Sequence, residues 1–365
     1  MSDPKAAGPS GAGLGPVEII GVGLLGASLG LTLSAAGVEV LLSDVNPHHL
    51  RTATVLGAGR ARTAHDVPAM VVVAVPPDHL GEVIADTLDA TASHGAVVTD
   101  VGSVKAGPLA SVAGHPQRHR YVGGHPMAGS ERSGPLAAHP ALFEGRPWAI
   151  TPHLDAAVHA VEAVEAMVRL SGAVPVWLTP GEHDRAVART SHVPHVMAAL
   201  TASRLAEAPE NHLVLSGQGV RDVTRVAAGD PGLYSQIVSA NAEAVLELLT
   251  QVRHQLDGVI DAVGAGDRTA LEEVLRAGAL GAASIPGKHG GPVRPTGSVW
   301  VQVPDRSGEL ARLLADAVAS QVNIEDIRID HDPGREVGLV ELIVEEPRAA
   351  VLLDSLESRG WTTHR

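Results

Sequence analysis

The sequence predicts an α/β fold over its first half, then a helical region, and then a small C-terminal βαββαβ unit. Short, almost entirely apolar segments alternate with helical stretches over residues 15–180. Strand-like segments stop after Pro180 and return over residues 298–365. Near-continuous apolar strands that alternate with helices are typical of a parallel sheet buried on both faces.

Seven segments carry the strand pattern of the first half. They are VEII (17–20), VEVLLSD (38–44), MVVVAVP (70–76), AVVTD (96–100), RYVGG (120–124), PWAITP (147–152) and VPVWLTP (174–180). Helical stretches lie between most of them, which predicts one α/β domain over residues 15–180.

Changes in composition predict the remaining boundaries. Residues 1–14 are rich in Gly, Pro, Ala and Ser, which predicts a disordered leader. Over residues 181–283 apolar residues recur at spacings of three and four, which predicts a helical domain. Residues 284–297 are polar and rich in Gly and Pro, so we expect a linker there.

The last segment, residues 298–365, has the pattern of a small separate unit. Strands are predicted at 299–303, 323–329, 337–345 and 361–364, and helices within 305–320 and 347–360. The order βαββαβ is that of the split βαβ sandwich.

Composition excludes several classes of function. The chain has 365 residues, enough for two to three domains of about 150 residues. Its net charge of −14 argues against nucleic-acid or anionic-membrane binding, because both need a positive surface. With no cysteine, disulfides and thiolate chemistry are excluded, and a reducing cytoplasm fits. We expect neither a secretory signal nor a membrane-spanning helix, since no apolar run approaches the ~20 residues of a span.

A Gly-rich turn follows the first predicted strand and opens a helix. It consists of Gly21, Val22, Gly23, Leu24, Leu25 and Gly26. Its first glycine permits a tight turn, the second lets the backbone approach a pyrophosphate, and the third lets the helix pack on the strand. Asp44 ends the second strand, where a carboxylate binds ribose hydroxyls and repels a 2′-phosphate. The turn therefore predicts a Rossmann-type domain that binds NAD, although Arg51 can weaken that repulsion.

Two further motifs follow the fourth and fifth predicted strands. The first, DVGSVK (100–105), offers Ser103 as a ligand of cofactor or substrate, or as the N-cap of the next helix. Lys105 can attract an anion or be solvated, and we expect it to be solvated. The second motif contains His125, which can take a proton from a hydroxyl while hydride leaves the same carbon. Glu131, six residues later, can orient a ring nitrogen or contact substrate.

Two polar motifs lie in the helical region. In the first, His183 precedes His192 and His195, and the last two share one face of a helix at a spacing of three. The spacing is not that of a metal-binding HExxH motif, so we expect no metal there. In the second, Arg225 can form a bidentate pair with a substrate carboxylate or pair with Asp222 at the surface.

Taken together, five ordered motifs resemble the prephenate/arogenate dehydrogenase family of tyrosine biosynthesis. They are GVGLLGASL, DVGSVK, GGHPMAGSERSG, EHDRAVARTSHVPH and RDVTRVAAGDP, and the resemblance extends from about residue 16 to 365. The C-terminal unit resembles an ACT domain, since Asp305, Gly308 and Leu310 match its DxxGxL turn and Asn323-Ile324 its NI step.

The resemblance implies an NAD-dependent oxidative decarboxylation of prephenate to 4-hydroxyphenylpyruvate. It implies that His125 accepts the hydroxyl proton and that Ser103 contacts the same hydroxyl and the nicotinamide. Arg225, set by Asp222, would hold a substrate carboxylate. The pocket would be lined by Glu131, His192 and His195, with His183 nearby and Tyr234 where the family often has Trp. Val75 and Pro76 join Ser103 and the Gly-rich turn in the predicted cofactor site.

The resemblance also implies a homodimer formed through the helical region and feedback control by tyrosine. The predicted effector residues are Arg306, Ser307, Gly308 and Asn323. Three alternatives stay open at this point. The substrate can be arogenate instead of prephenate; the chain can be a reductase of the β-hydroxyacid or pyrroline-carboxylate type; or it can be a non-enzymatic amino-acid sensor.

Overall fold

A computed structural model describes residues 13–129, 132–286, 295–331 and 337–365. The chain divides into two units, residues 1–254 and 255–365, and each is described by itself. Nearly all of the predicted leader, most of the predicted linker and Glu131 lie outside the described residues. The predicted domain boundaries stay predictions.

An eight-stranded sheet forms the centre of the first unit. Its strands are β1 (Val17–Ile20), β2 (Val40–Ser43), β3 (Arg60–Ala61), β4 (Met70–Val73), β5 (Val97–Asp100), β6 (Tyr121–Pro126), β7 (Pro147–Thr151) and β8 (Val174–Trp177). They lie in the order β3-β2-β1-β4-β5-β6-β7-β8. Every residue of β4 and β5 is buried, which confirms the α/β prediction for this region.

One part of the sheet differs from the parallel arrangement that the sequence predicts. β7 runs antiparallel to β6, with His125 opposite Ala149 and Pro126 opposite Trp148. Because of this pairing, β6 continues through His125 and Pro126, whereas the sequence predicts that the strand ends at Gly124. The two strands are joined through residues 127–146 without a regular α-helix among the described residues, and a parallel pair needs a longer crossover, usually helical.

In the described part of the chain, twelve α-helices precede residue 284: ten lie in the first unit, one spans residue 254, and the last lies in the second unit. Those of the sheet region are α1 (Leu24–Ala35), α2 (Pro47–Val55), α3 (Pro77–Ala90), α4 (Ala106–Ser111) and α5 (Val158–Leu170). The later ones are α6 (Pro180–Val187), α7 (Val193–Ala206), α8 (Glu210–Leu213), α9 (Gln218–Thr224), α10 (Pro231–Ala240), α11 (Ala242–Ala265) and α12 (Arg268–Ala283). This run of helices confirms the helical region predicted after Pro180. None of the helices in the described ranges is long and apolar enough to cross a membrane.

The end of the second unit is a four-stranded antiparallel sheet with two helices. Its elements are β9 (Thr296–Pro304), α13 (Glu309–Val318), β10 (Asp326–His331), β11 (Val337–Glu345), α14 (Glu346–Glu357) and β12 (Thr362–His364). The strands lie in the order β10-β11-β9-β12. Val301, Leu342, Leu356 and Trp361 belong to its buried core. The order confirms the predicted βαββαβ unit, but β10 begins three residues later than predicted.

Candidate active site

A capping box at the start of α6 places two polar side chains in the interior. Thr179 Oγ1 accepts a hydrogen bond from the Glu182 N–H, and the Glu182 carboxylate accepts one from the Thr179 N–H at 3.0 Å. The box fixes the first turn of the helix, because each residue satisfies a backbone donor of the other. His183 and Asp184, the next two residues, are both buried.

The buried end of α6 meets His125 on β6. The Nδ1 atom of His125 lies 2.8 Å from Nε2 of His183, and Nδ1 of His183 lies 2.8 Å from Oδ1 of Asp184. The Asp184 carboxylate also accepts the backbone N–H of Lys105 and of Ala106, both at 2.8 Å. The structure therefore forms a continuous chain of carboxylate, imidazole and imidazole.

This chain defines where the proton of each neutral ring lies. A carboxylate only accepts hydrogen bonds, so Nδ1 of His183 carries a proton and Nε2 of the neutral ring accepts. Nδ1 of His125 must then be the donor between the two rings. The remaining nitrogen of His125, Nε2, has no proton and is the basic atom of the site.

Asn241, a residue that the sequence motifs did not include, extends the chain to a third histidine. Its side-chain amide donates to the Asp184 carbonyl at 2.7 Å and lies 3.2 Å from Nδ1 of His192. Since the amide is a donor, the neutral ring of His192 accepts at Nδ1 and holds its proton on Nε2. Asn241 lies between α10 and α11, far in sequence from its partners, so no local pattern pointed to it.

The remaining histidine of the motif stacks on a tyrosine. The rings of His195 and Tyr234 lie 3.4 Å apart at an angle of 7°. Gly229 lies against both rings, and a Cβ at that position would be 2.9 Å from Tyr234 and 3.2 Å from His195. Tyr234, which the resemblance places in the pocket, therefore stacks on His195, which it also places there.

His192 lies at the end of a π-helical turn, Ala188–His192, that leads into α7. Pro194 follows in the first turn of α7, and proline lacks the N–H that a regular α-helix would use there. The Val193 N–H bonds instead to the Ala188 carbonyl, the wider spacing of a π-turn.

Burial lowers the pKa of two imidazoles in this cluster, those of His125 and His192. The pKa of His125 lies well below its usual value of 6.5, mainly because the ring is removed from water and also because His183 and Lys105 are close. Burial lowers the pKa of His192 to about 4, although Asp184 acts in the opposite direction. Burial also acts to raise the pKa of Asp184, but hydrogen bonds from His183 and two backbone N–H groups outweigh it and lower the pKa. At neutral pH His125 is thus an uncharged base beside an ionised carboxylate.

The DVGSVK motif contributes to the site in a way that the sequence did not predict. The expectation of a solvated Lys105 is wrong, because this side chain is only 1% exposed. Its ammonium pairs with Asp100 and donates to the Gly124 carbonyl at 2.7 Å. Ser103 is half-buried, and it is not the N-cap of α4, which is Lys105.

The Gly-rich turn has the geometry that a dinucleotide requires. Gly21 has a φ of +93°, and a Cβ there would lie 2.4 Å from the Ala74 carbonyl and 3.3 Å from Val75. A Cβ on Gly26 would lie 1.9 Å from the Gly21 carbonyl, so only glycine fits. Gly23, the N-cap of α1, has nothing within 4 Å of its Cβ position. Open space at the helix N-terminus fits a pyrophosphate.

Asp44 is held in place beside this turn. Its two carboxylate oxygens accept the backbone N–H groups of Val22 and Asn46, each at 2.7 Å. The carboxylate is therefore fixed at the carboxyl end of β2. Pro76, another predicted cofactor residue, is exposed and is the N-cap of α3.

Arg225 is exposed at the start of a 3₁₀ turn, Arg225–Ala228, that packs against α7. The resemblance implied that Asp222 pairs with Arg225. Within the described ranges the structure does not pair these two side chains. The Asp222 carboxylate accepts a hydrogen bond from Gln218 Nε2 at 2.8 Å instead. No group of three His, Asp or Glu side chains among the described residues is arranged to hold a metal.

A dinucleotide-binding turn after β1, together with a histidine on β6 that is backed by His183 and Asp184 of α6, defines an NAD-dependent dehydrogenase. Two sequence models match the chain: "Prephenate dehydrogenase, nucleotide-binding domain" over residues 29–177 and "Prephenate dehydrogenase, dimerization domain" over residues 179–277. The chain belongs to the prephenate dehydrogenase family.

Individual relatives agree with this assignment. The chain is 34% identical to the probable prephenate dehydrogenase NovF of Streptomyces niveus, over 94% of this chain and 98% of the relative. A crystal structure of prephenate dehydrogenase from Aquifex aeolicus with hydroxyphenyl propionate and NAD+ has a TM-score of 0.66 and 27% identity, covering 73% of this chain and 96% of that one. Synechocystis arogenate dehydrogenase has a TM-score of 0.58 and 26% identity, covering 72% and 96%.

Proposed function

We propose that this protein oxidises and decarboxylates prephenate with NAD+ and that His125 is its general base. The single observation that carries this proposal is the chain from Asp184 through His183 to His125, which leaves a basic nitrogen on His125. Family membership supports the substrate class, because relatives with prephenate dehydrogenase in their names match most of this chain.

The residues of the Gly-rich turn fit NAD. Gly23 leaves room for the pyrophosphate, and the backbone of Val22, Leu24 and Leu25 forms the turn. The backbone hydrogen bonds that fix the Asp44 carboxylate beside this turn support its role as the acceptor for the ribose hydroxyls. Val75 and Pro76 form the neighbouring wall, and Ser103 the nicotinamide end. When bound, NAD+ supplies the hydride acceptor.

In this mechanism the protein positions the substrate and moves one proton. Nε2 of His125 accepts the proton of the C4 hydroxyl as the C4 hydrogen leaves as hydride and the ring carboxylate leaves as CO2. Aromatisation of the ring provides the driving force. Asp184 and His183 keep the accepting nitrogen free of a proton before the reaction, and they stabilise the imidazolium that forms.

The substrate carries two carboxylates, and an acidic protein needs local donors to bind them. We assign one carboxylate to Arg225, whose guanidinium can form two parallel hydrogen bonds. His192 offers an Nε2–H donor, and the stacked His195 and Tyr234 offer an apolar wall with a polar edge. Asp222 is also proposed as a pocket residue, and Glu131, which the resemblance implies as well, lies outside the described residues.

The buried position of His183 changes one detail of the expected pocket. Its side chain lies behind His125 and is bonded at both nitrogens, so we propose that it orients the base and does not bind substrate.

Arogenate is the second candidate substrate, and the similarity to Synechocystis arogenate dehydrogenase favours keeping it. The test is initial NADH formation with purified prephenate and purified arogenate, each with NAD+ and with NADP+. We expect the fastest turnover with prephenate and NAD+. A preference for arogenate would move the proposal to that substrate. No turnover of either substrate would reject it in favour of a non-enzymatic sensor.

We also propose a homodimer formed through the helical region. Leu256, Ile260 and Val263 follow one another on α11 at helical spacing, and each is more than half exposed. The matching family segment is named a dimerization domain, which supports this proposal. Sedimentation analysis of the purified chain tests it, with a dimer as the expected result.

Feedback control by tyrosine is the proposed role of the C-terminal unit, which we regard as ACT-like. Arg306, Ser307 and Gly308 form an exposed turn in which Gly308 has a φ of +92°, and Asn323 is also exposed. Tyrosine should inhibit the full chain but not a variant truncated at about residue 290. Equal inhibition of both would place tyrosine in the active site. A cytoplasmic location is proposed from the lack of cysteine.

A further inference from the structure

We propose that Lys105 is the positioning residue of the active site, because it joins the strand that carries His125 to the helix that carries His183 and Asp184. This inference rests on the proposed function for the role of His125. The contacts of Lys105 themselves do not depend on the identity of the substrate.

The first link is made by the side chain of Lys105. Its ammonium pairs with Asp100 and donates to the Gly124 carbonyl at 2.7 Å, one residue before His125. Both side chains of the pair are 0% exposed, so water does not compete for these contacts. A buried charge of this kind must keep its partners, since leaving one of them unpaired is costly.

Asp100 is itself held from several directions. Its carboxylate accepts the Tyr121 hydroxyl at 2.9 Å, the Gly102 N–H at 2.9 Å and the Gly124 N–H at 3.3 Å. With the Lys105 ammonium added, all the acceptor positions of the carboxylate are used. The carboxylate therefore has no position left for another donor, and the second contact of the ammonium holds β6 at Gly124.

The second link is made by the backbone of Lys105. Its N–H donates to Oδ1 of Asp184 at 2.8 Å, the same oxygen that binds His183. One residue therefore holds His125 from the strand side and holds the carboxylate behind His183 from the helix side. Because the side chain is buried, Lys105 does not touch substrate and acts only through these neighbours.

The two glycines before His125 show how closely the strand passes these groups. A Cβ on Gly123 would lie 2.5 Å from Thr151 Oγ1 and 3.0 Å from Cδ of Lys105. A Cβ on Gly124 would lie 2.7 Å from the Asp100 carbonyl. Glycine in a strand often marks such an approach. The two glycines before His125 therefore let β6 pass close to Lys105 and Asp100.

The chain has no cysteine, which permits a precise test at this position. Lys105→Cys can be alkylated in denaturant with 2-bromoethylamine, which rebuilds a side chain of the length and charge of lysine. The matched control is the same variant alkylated with 1-bromopropane. The resulting side chain has the same length but ends in a methyl group in place of the ammonium. Wild-type protein passed through the same treatment controls for refolding.

We expect the aminoethyl form to recover the kcat of refolded wild type. The propyl form should lose roughly 10²-fold in kcat, the loss typical of a misplaced catalytic group, with its NAD+ Kd unchanged. The ¹⁵N chemical shifts of the His125 ring should show an unprotonated Nε2 in the aminoethyl form. In the propyl form they should show a mixture of the two tautomers. Equal kcat and equal spectra in the two forms would overturn the proposal.

A second variant covers the case in which the propyl form does not refold. Asp100→Asn combined with Lys105→Met removes both buried charges together, which a fold tolerates better than the loss of one. We expect this double variant to fold, with a lowered kcat and the same mixture of His125 tautomers. An unchanged kcat and spectrum would overturn the proposal. If wild type turned over no prephenate, the proposed function would fail, whereas the spectra would still test Lys105.

Discussion

Asp184 Oδ1 lies 2.8 Å from Nδ1 of His183, and this contact decides which nitrogen of the next ring, that of His125, is basic. The carboxylate accepts three hydrogen bonds in all, one from His183 and two from the backbone of α4 and its N-cap. It therefore acts on His125 through the ring of His183 without touching His125.

Asp184→Asn should lower kcat by roughly 10²- to 10⁴-fold, the range of general acid–base catalysis. Asparagine has no negative charge to stabilise the imidazolium, and in either orientation its NH2 group faces a backbone N–H, that of Lys105 or that of Ala106. Steady-state NADH formation measures the loss. Asp257→Asn, on exposed α11, is the matched control and should keep full activity. Asp184→Asn with wild-type kcat would contradict the role assigned to the Asp184 carboxylate.

The free energy of unfolding should fall as the pH is lowered and His192 becomes protonated. Its folded pKa of about 4 lies below the ordinary value of 6.5, so the unfolded chain binds the proton more strongly. The stabilisation is complete above about pH 6.5 and is lost as the pH falls toward about 4, by roughly 3 kcal/mol. Denaturant titrations at several pH values, on wild type and His192→Gln, measure this difference. If both proteins lost stability equally, His192 would not be the cause.

Gly124→Ala should destabilise the first unit by about 1–3 kcal/mol or more, the range of overpacked interiors. The new Cβ would lie 2.7 Å from a backbone carbonyl, which cannot rotate away as a side chain can. Gly107→Ala, on α4, has nothing within 4 Å of its Cβ and should be neutral or slightly stabilising. Thermal unfolding compares the two. A neutral Gly124→Ala would show that β6 can shift.

Arg225→Ala should raise the KM for prephenate by roughly 10- to 100-fold, as expected for lost hydrogen bonds to a charged group. The NAD+ Kd should not change, because Arg225 lies on the 3₁₀ turn that follows α9 and not on the Gly-rich turn proposed to bind NAD+. Arg204→Ala, exposed on α7, is the control. A fall in kcat at constant KM would instead assign Arg225 to the transition state.

The sequence predicted those features that depend on neighbouring residues. Gly21 needs a positive φ and Gly26 a close helix–strand contact, and both follow from the local turn. The run of helices and the βαββαβ order follow from periodicity in the same way.

Other features depend on contacts that no local pattern reports. Lys105 reaches Asp184, 79 residues away, and Asn241 reaches it from 57 residues away. The direction of β7 depends on the path of residues 127–146. One signal was present: two glycines inside a strand, Gly123 and Gly124, indicate close neighbours, which are the Thr151 and Lys105 side chains and the Asp100 carbonyl.

The central claim is that His125 is the base that accepts the substrate proton. The most direct measurement is prephenate-dependent NADH formation by His125→Asn and by wild type, with NAD+ binding measured on both. We predict that His125→Asn binds NAD+ like wild type and loses at least roughly 10²-fold in turnover. Equal turnover by the two proteins would contradict the claim and would remove His125 from the mechanism.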